Sequence, residues 1–187
     1  MRKFTACQRE VWRKFKHKGI KMQVATMKEI MLIVSFPGSS IPLFLVLILS
    51  AGTYLIFKDR INDALFLLLT PISYLYSVLL KASFKTQRPE NSPDLKLRFP
   101  ADVYGFPSSH TVIYTVLFGY LLYLTYSNSQ NASLFIWLIR LVCCIFILLV
   151  GPSRVYLGFH SVKDVIGGYF FGTLFLTAFI FLKTYKR

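Results

Sequence analysis

Three short polar stretches in this chain could together bind a phosphate group. They are KASFKTQRP, YGFPSSHT and GPSRVYLGFHSVKDV, at residues 81–89, 104–111 and 151–165. Lys81, Arg88 and Arg154 can surround a multiply charged oxyanion, and the guanidinium groups offer planar forks that match phosphate oxygens. Ser108, Ser109 and the free amides at the start of a following helix would add hydrogen-bond donors at a positive dipole end. These residue types predict a phosphate-binding cage.

The same stretches contain groups that could act on a bound phosphate. Two of the three histidines of the chain, His110 and His160, fall within them, and Asp164 is the last carboxylate in the sequence. We expect His160 and Asp164 to lie on the fifth membrane helix, four residues or one turn apart. The carboxylate could then hold one ring nitrogen and leave the other as a nucleophile.

The elements that must position these groups are membrane helices. Of 187 residues, 55% are hydrophobic, 17% aromatic and only 16% charged, which is not the composition of a soluble domain. Long apolar runs predict an all-α, polytopic bundle with about five membrane-spanning helices. Before the first span, we expect the run 30–36 to lie at the interface, because Pro37-Gly-Ser-Ser40 interrupts it. The expected spans are residues 41–57, 64–80, 111–129, 131–152 and 165–182.

The predicted topology brings the three polar stretches to one membrane face. The loop from residue 82 to 109 has both ends on that face, and counting crossings places residues 151–165 there too. Each polar residue alone has an ordinary explanation, such as a snorkelling cation or a helix N-cap. Ionisable groups at a membrane are costly, however, so their gathering on one face favours a functional site.

The N-terminal segment, residues 1–29, is strongly basic. It carries nine Lys or Arg, and the formal net charge of the whole chain is +14. Phe4, Cys7, Val11 and Phe15 recur at helical spacing, which predicts an amphipathic helix in the plane of an anionic bilayer. A solvated basic tail is the alternative. A nucleic-acid-binding arm is disfavoured, because the segment leads directly into membrane helices.

The motif spacing resembles a known family. Lys-x6-Arg-Pro, Pro-Ser-x-His and Ser-Arg-x5-His-x3-Asp are similar to the motifs of the type 2 phosphatidic acid phosphatase (PAP2) superfamily. The chain departs from that pattern at Ser109, where many members have glycine, and in length, because many members are six-helix bundles. From the resemblance we expect a single PAP2-like membrane domain over residues 1–187. The matching residues are Lys81, Arg88, Pro89, Pro107, Ser108, His110, Ser153, Arg154, His160 and Asp164.

The resemblance implies a phosphatase that needs no metal and no cofactor. His160 would attack phosphorus to form a phosphohistidine, Asp164 would orient it, and His110 would protonate the leaving oxygen. The substrate would be a lipid phosphate or diphosphate, such as phosphatidate, phosphatidylglycerophosphate or a polyprenyl diphosphate, entering from the bilayer. The phosphoryl oxygens would be bound by Lys81, Arg88, Ser108, Ser109 and Arg154.

Other functions explain the residues less well. A non-catalytic phospholipid-binding scaffold would use the same cations but would not need both histidines and the aspartate. A channel or transporter would need polar residues throughout its spans, whereas Arg140 is the one charge deep in an expected span. Haloperoxidases have a similar site, but those relatives are soluble.

The charge distribution predicts which face carries the site. With five spans the basic tail shares the catalytic face, and its nine cations exceed the five on the opposite face, so the positive-inside rule predicts a cytosolic active site. The acidic and basic residues of the loop 90–102 are expected to cover the site. No disulfide is expected, because Cys143 and Cys144 fall inside a span and Cys7 stands alone.

Overall fold

The computed structural model describes residues 26–89, 100–127 and 133–185, and every regular element in those ranges is helical. Residues 1–25 and 90–99 lie outside the described residues, so the predicted amphipathic helix and most of the predicted covering loop do too. The helices are α1 (Thr26–Ser39), α2 (Ile41–Phe57), α3 (Ile61–Leu69), α4 (Ile72–Phe84), a 3₁₀ turn (Pro100–Val103), α5 (Ser109–Ser127), α6 (Leu134–Tyr156) and α7 (Val162–Tyr185).

Three of the described helical segments are long and apolar enough to cross a membrane. They are Ile61–Phe84, which joins α3 to α4, and the helices α6 and α7. The pair α1 and α2 meets the same criterion together but bends by 70° at its break, which would bring the number to four. The expected five spans are therefore not confirmed, and α5 is the predicted span that does not meet the criterion.

Helix α5 is less apolar than the helices that meet the criterion, because other helices of the protein surround it. It packs against α3, α4, α6 and α7, and Val112, Tyr114, Val116 and Tyr120 are fully buried. Since so much of its surface is covered by protein instead of lipid, α5 can carry polar side chains such as Thr115, whose hydroxyl donates to the Thr111 carbonyl at 2.8 Å.

Glycines in α7 allow it to approach α5 closely. A Cβ atom at Gly168 would lie 2.7 Å from Cβ of Thr111, and one at Gly172 would lie 2.9 Å from Cβ of Thr115. The two glycines are four residues apart, and so are the two threonines that they face. Small residues at this spacing let membrane helices pack backbone to backbone. The starts of α5 and α7, which carry His110 and Asp164, are thereby fixed beside each other.

Buried charges join α3 to α7 at the other end of the bundle. Asp63 is 5% exposed and Lys183 6%, and the Lys183 ammonium pairs directly with Oδ1 of Asp63. Nε of Arg60 lies 2.5 Å from Oδ2 of the same carboxylate. The Lys183 ammonium also lies 4.6 Å from the centre of the Tyr123 ring. This cluster ties the last turn of α7 to the first turn of α3.

Arg140 is also paired with a neighbouring helix. Its Nη2 donates to the Thr125 carbonyl of α5 at 2.8 Å, and its guanidinium lies 3.8 Å from the centre of the Tyr126 ring. The cation is therefore stabilised where α5 ends. This arrangement fits a packing role.

We expect Lys183→Met to destabilise the protein by about 3 kcal/mol, because it leaves the buried Asp63 carboxylate with Arg60 as its remaining cation. The measurement is the free energy of unfolding in detergent. Lys58→Met, at the exposed end of α2, is the control and should have little effect. The double variant Asp63→Leu with Lys183→Met should recover most of the loss. Equal stability of Lys183→Met and the unchanged protein would show that Arg60 suffices.

Candidate active site

A cavity of about 480 Å³ opens where α1 bends into α2 and where α5 begins. All three polar stretches contribute to its wall, although they are far apart in sequence. Arg88 comes from the first stretch, Ser109 and His110 from the second, and Arg154 and His160 from the third. Five of the eight predicted site residues therefore line one cavity.

Asp164 holds the start of α7 and also faces His160. The Ser161 amide donates to Oδ2 of Asp164 at 2.8 Å, while the Asp164 amide donates to the Ser161 hydroxyl at 3.3 Å. This reciprocal pair is a capping box, and it makes Ser161 the cap of a helix that begins at Val162. The expectation that His160 lies on the same helix as Asp164 is therefore wrong, because His160 precedes the cap.

The carboxylate nevertheless reaches the ring as the spacing predicted. Nδ1 of His160 lies 3.4 Å from Oδ2 of Asp164, slightly beyond an ordinary hydrogen bond. Catalytic contacts of this kind commonly shorten when substrate binds. With Nδ1 turned to the carboxylate, Nε2 faces Arg88, whose Nη1 is 3.5 Å away.

His160 is neutral at physiological pH because it is buried among cations. The residue is 4% exposed. Burial lowers its pKa to about 4, Asp164 opposes that effect, and the charges of Arg88, Lys81 and Arg154 lower the pKa further. A neutral ring keeps a lone pair on one nitrogen, which is the form that can attack phosphorus.

Arg88 connects the first polar stretch to the third, and to the 3₁₀ turn that precedes the second, through backbone carbonyls. Its Nε and Nη2 donate to the Asp102 carbonyl at 3.1 and 2.8 Å, and its Nη1 donates to the Phe159 carbonyl at 3.0 Å. The Asp102 carboxylate in turn accepts a hydrogen bond of 2.6 Å from the Tyr74 hydroxyl of α4. Asp102, which was expected in the loop that covers the site, lines the cavity, and its carbonyl helps to fix the guanidinium.

Two predicted phosphate ligands lie behind the cavity wall. Lys81 is fully buried and donates to the Tyr104 carbonyl at 2.6 Å. Ser108 is also fully buried, its amide donates to the Asp164 carbonyl, and its hydroxyl accepts from Thr111. Their hydrogen bonds hold the loops that carry the cavity residues. The charge of Lys81 still acts on the cavity through a low-dielectric interior.

Arg154 is the cation with unused hydrogen-bonding capacity. It is 4% exposed, and its Nη1 donates to the Ser35 hydroxyl at 2.6 Å. Its guanidinium lies 4.0 Å from the centre of the Phe159 ring. Its Nε is buried with no hydrogen-bond partner within residues 26–89, 100–127 and 133–185. A buried donor of this kind is expected to bind a ligand atom or water.

The remaining predicted residues lie at the start of α5. The hydroxyl of Ser109 accepts from Ser77 at 3.0 Å, which ties this turn to α4. Nε2 of His110 lies 3.1 Å from the Ser39 hydroxyl. Sequence reasoning missed Ser35 and Ser39, because it treated residues 30–36 as an interfacial run and residues 37–40 only as a break. The two serines are four residues apart, which places them on one face of a helix, and this spacing is the sequence signal that could have revealed them.

The comparisons identify the family. Residues 40–187 match the model of the PAP2 superfamily, so the chain belongs to that superfamily. The chain is 40% identical to lipid phosphate phosphatase delta of Arabidopsis thaliana over 74 residues, which are 39% of this chain and 18% of that protein. It is 28% identical to phosphatidylglycerophosphatase B of Bacillus subtilis (strain 168) over 137 residues, which are 73% of this chain and 65% of that protein.

A solved structure has the same fold. The crystal structure of the first transmembrane PAP2 type phosphatidylglycerolphosphate phosphatase from Bacillus subtilis aligns with a TM-score of 0.70 at 24% identity, covering 86% of this chain and 78% of that one. The chain spans between 18% and 65% of the length of the two curated relatives above. It is an integral, multi-pass membrane protein.

We expect His160 to react as a nucleophile at a rate that is constant from pH 7 down to about pH 5, because its pKa of about 4 keeps the ring neutral there. The measurement is single-turnover phosphate transfer, corrected for ionisation of the substrate. Between pH 6.5 and 4 the unfolded chain binds more protons than the folded one, so stability falls as the pH falls and the unfolded fraction must be measured too. A fall in the rate of phosphate transfer with a midpoint near pH 6.5 would contradict a neutral, buried nucleophile.

Proposed function

We propose that this chain is a membrane phosphatase that hydrolyses a lipid phosphate monoester or diphosphate through a phosphohistidine on His160. The observation that carries the proposal is the placement of a neutral His160 ring beside Arg88 and Arg154 in one cavity. Phosphate binding by two guanidinium groups and attack by the adjacent ring nitrogen would take place within that cavity.

In the first half-reaction Nε2 of His160 attacks phosphorus, and the bond from phosphorus to the lipid oxygen breaks. His110 gives its proton to that leaving oxygen, while Asp164 stabilises the positive charge that develops on the His160 ring. In the second half-reaction His110 takes a proton from water, which attacks the phosphohistidine and releases inorganic phosphate. The imidazole of His160 is then restored.

The cationic cage would supply most of the rate enhancement. Charge builds on the phosphoryl oxygens in the transition state, and preorganised donors in a dry site stabilise it strongly. Arg88, Arg154 and Ser109 line the cavity and would contact the oxygens. Lys81 and Ser108 would contribute from behind the wall, by charge and by holding the loops. The cage supplies its own positive charge, so we propose that the reaction needs no metal ion or cofactor.

The setting favours a lipid as the substrate. The cavity has an apolar side formed by Ile41, Pro42 and Ile113, next to its polar wall. The relatives include proteins named as a lipid phosphate phosphatase, a phosphatidylglycerophosphatase and sphingosine-1-phosphate phosphatases. We propose phosphatidate, phosphatidylglycerophosphate or a polyprenyl diphosphate as substrates, with anionic lipids at the basic segment 1–29 and the site on the cytosolic face.

The purified chain in detergent, with a chelator present, should release phosphate from at least one member of a panel of lipid mono- and diphosphates. His160→Ala should abolish both release and the phosphoenzyme, because the other histidine of the cavity, His110, is proposed to serve as the acid and not as the nucleophile. His17→Ala, in the basic segment, is the matched histidine control and should remain active. Binding of lipid phosphates without any release would favour the non-catalytic scaffold instead. Strict dependence on a divalent ion would overturn the proposed mechanism.

We expect the importance of His110 to depend on the leaving group. A lipid alkoxide leaves poorly without a proton, whereas nitrophenolate leaves readily, so His110→Ala should slow lipid monophosphate hydrolysis by about 10²-fold or more and nitrophenyl phosphate hydrolysis far less. The measurement is the ratio of the two losses in kcat/KM. Equal losses would remove His110 from the acid role and leave it as a phosphate-binding residue.

A further inference from the structure

Helix α1 packs onto the catalytic cavity although it precedes the part of the chain that matches the family. The family match begins at residue 40, whereas the described part of α1 ends at Ser39. Ser35 and Ser39 lie one turn apart on α1. Ser35 accepts a hydrogen bond from Arg154, and Ser39 contacts His110. The same helix therefore meets a predicted phosphate-binding cation and the predicted acid.

Gly38 makes this close approach to α5 possible. Its amide donates to the Tyr114 hydroxyl at 2.9 Å, and that hydroxyl donates to the Val34 carbonyl at 2.8 Å. A Cβ atom at Gly38 would lie 2.6 Å from a ring carbon of Tyr114 and 2.8 Å from Cδ2 of His110. Tyr114 is fully buried, so it cannot easily move away. The α1 backbone is thus held against the His110 ring.

The Ser39 hydroxyl holds the His110 ring in one orientation. It donates to the Ser35 carbonyl at 3.1 Å, and its oxygen lies 3.1 Å from Nε2 of His110. A hydroxyl that donates to a carbonyl can also accept a hydrogen bond, so this oxygen can accept from a protonated Nε2. The acid form of histidine is the imidazolium, in which both ring nitrogens carry a proton. A general acid must also be held within reach of the leaving oxygen, which this contact would do for His110 by fixing its ring at the cavity.

We propose that Ser39 is a positioning residue for His110, which holds the ring so that Nε2 lies at the cavity, within reach of the oxygen of the leaving lipid. The inference rests on the proposed function and adds α1 to the active site. When Nε2 gives its proton to the leaving oxygen, the Ser39 hydroxyl can rotate and donate to the unprotonated nitrogen. A hydroxyl can both donate and accept, so Ser39 stabilises His110 before and after the transfer.

The test uses Ser39→Ala and Ser39→Thr with two substrates, a lipid monophosphate and nitrophenyl phosphate. Loss of one orienting hydrogen bond should lower kcat on the lipid about tenfold and leave nitrophenyl phosphate hydrolysis nearly unchanged. Ser39→Thr keeps the hydroxyl at an exposed position and should restore most of the activity. The control is Ser50→Ala on α2, whose hydroxyl bonds to its own helix at Leu47 and contacts no cavity residue in the described structure.

A double variant separates a role through His110 from a structural role. Ser39→Ala should cause no further loss on the lipid when it is added to His110→Ala, because its effect acts through that ring. Equal losses on both substrates, or a further tenfold loss in the double variant, would show that Ser39 only supports the fold and would overturn the inference.

A pair of glycine variants tests the same geometry independently. Gly38→Ala should push α1 away from His110 and reproduce the selective loss on the lipid. Gly52→Ala is the matched control, because a Cβ atom there would lie 3.7 Å from Leu68, an ordinary contact. If Gly38→Ala is as active as Gly52→Ala on the lipid, α1 does not orient the acid.

Nitrogen NMR of labelled histidine keeps the inference separate from the proposed function. In the unchanged protein the His110 signals are assigned by their loss in His110→Ala. Ser39→Ala should shift the Nε2 signal of that ring, because Nε2 loses its contact with the hydroxyl. If no substrate in the panel is hydrolysed, the proposed function fails while this shift still tests the contact. An unchanged His110 signal in Ser39→Ala would overturn the inference even in an active enzyme.

Discussion

The structure of the site depends on how three cations, two of them buried and Arg88 partly exposed, are kept close together. Lys81, Arg88 and Arg154 repel one another in an interior of low dielectric, and Asp102 and Asp164 are the two buried carboxylates near them. The cations are held mainly by oxygens that carry no net charge. Lys81 and Arg88 use backbone carbonyls, and Arg154 uses a serine hydroxyl. The site therefore retains an excess of positive charge, which an anionic phosphate would neutralise.

The cations need oxygen acceptors, and two irregular parts of the fold provide them. The 3₁₀ turn at Pro100–Val103 presents the Asp102 carbonyl to Arg88, and the turn before α7 presents the Phe159 carbonyl to the same guanidinium. Neither carbonyl would be available inside a regular helix, where backbone oxygens accept from the amide four residues later. The loops at this end of the bundle consequently help to form the wall of the cavity.

The first turns of α5 and α7 hold His110 and Asp164 in fixed positions, and His160 lies just before α7. The Ser108 amide donates to the Asp164 carbonyl at 3.0 Å, so the turn before α5 is bonded directly to the first turn of α7. Glycines 168 and 172 keep these helices in backbone contact below that point. The capping box at Ser161 leaves the Asp164 carboxylate facing His160 as well. One carboxylate therefore serves both the helix and the site.

The sequence by itself determined the residue types, their spacing and the membrane setting. The polar stretches that meet at the cavity, the pairing of His160 with Asp164 and the helical class could be predicted from motifs and apolar runs, because spacing and hydropathy are local properties. The number of spans was less predictable, since α5 is covered by other helices and so need not be as apolar as a helix exposed to lipid. Only the tertiary structure decided that His160 precedes α7 and that Lys81 lies behind the cavity wall. It also brought Ser39 to His110, 71 residues away in sequence, a contact that no local pattern encodes.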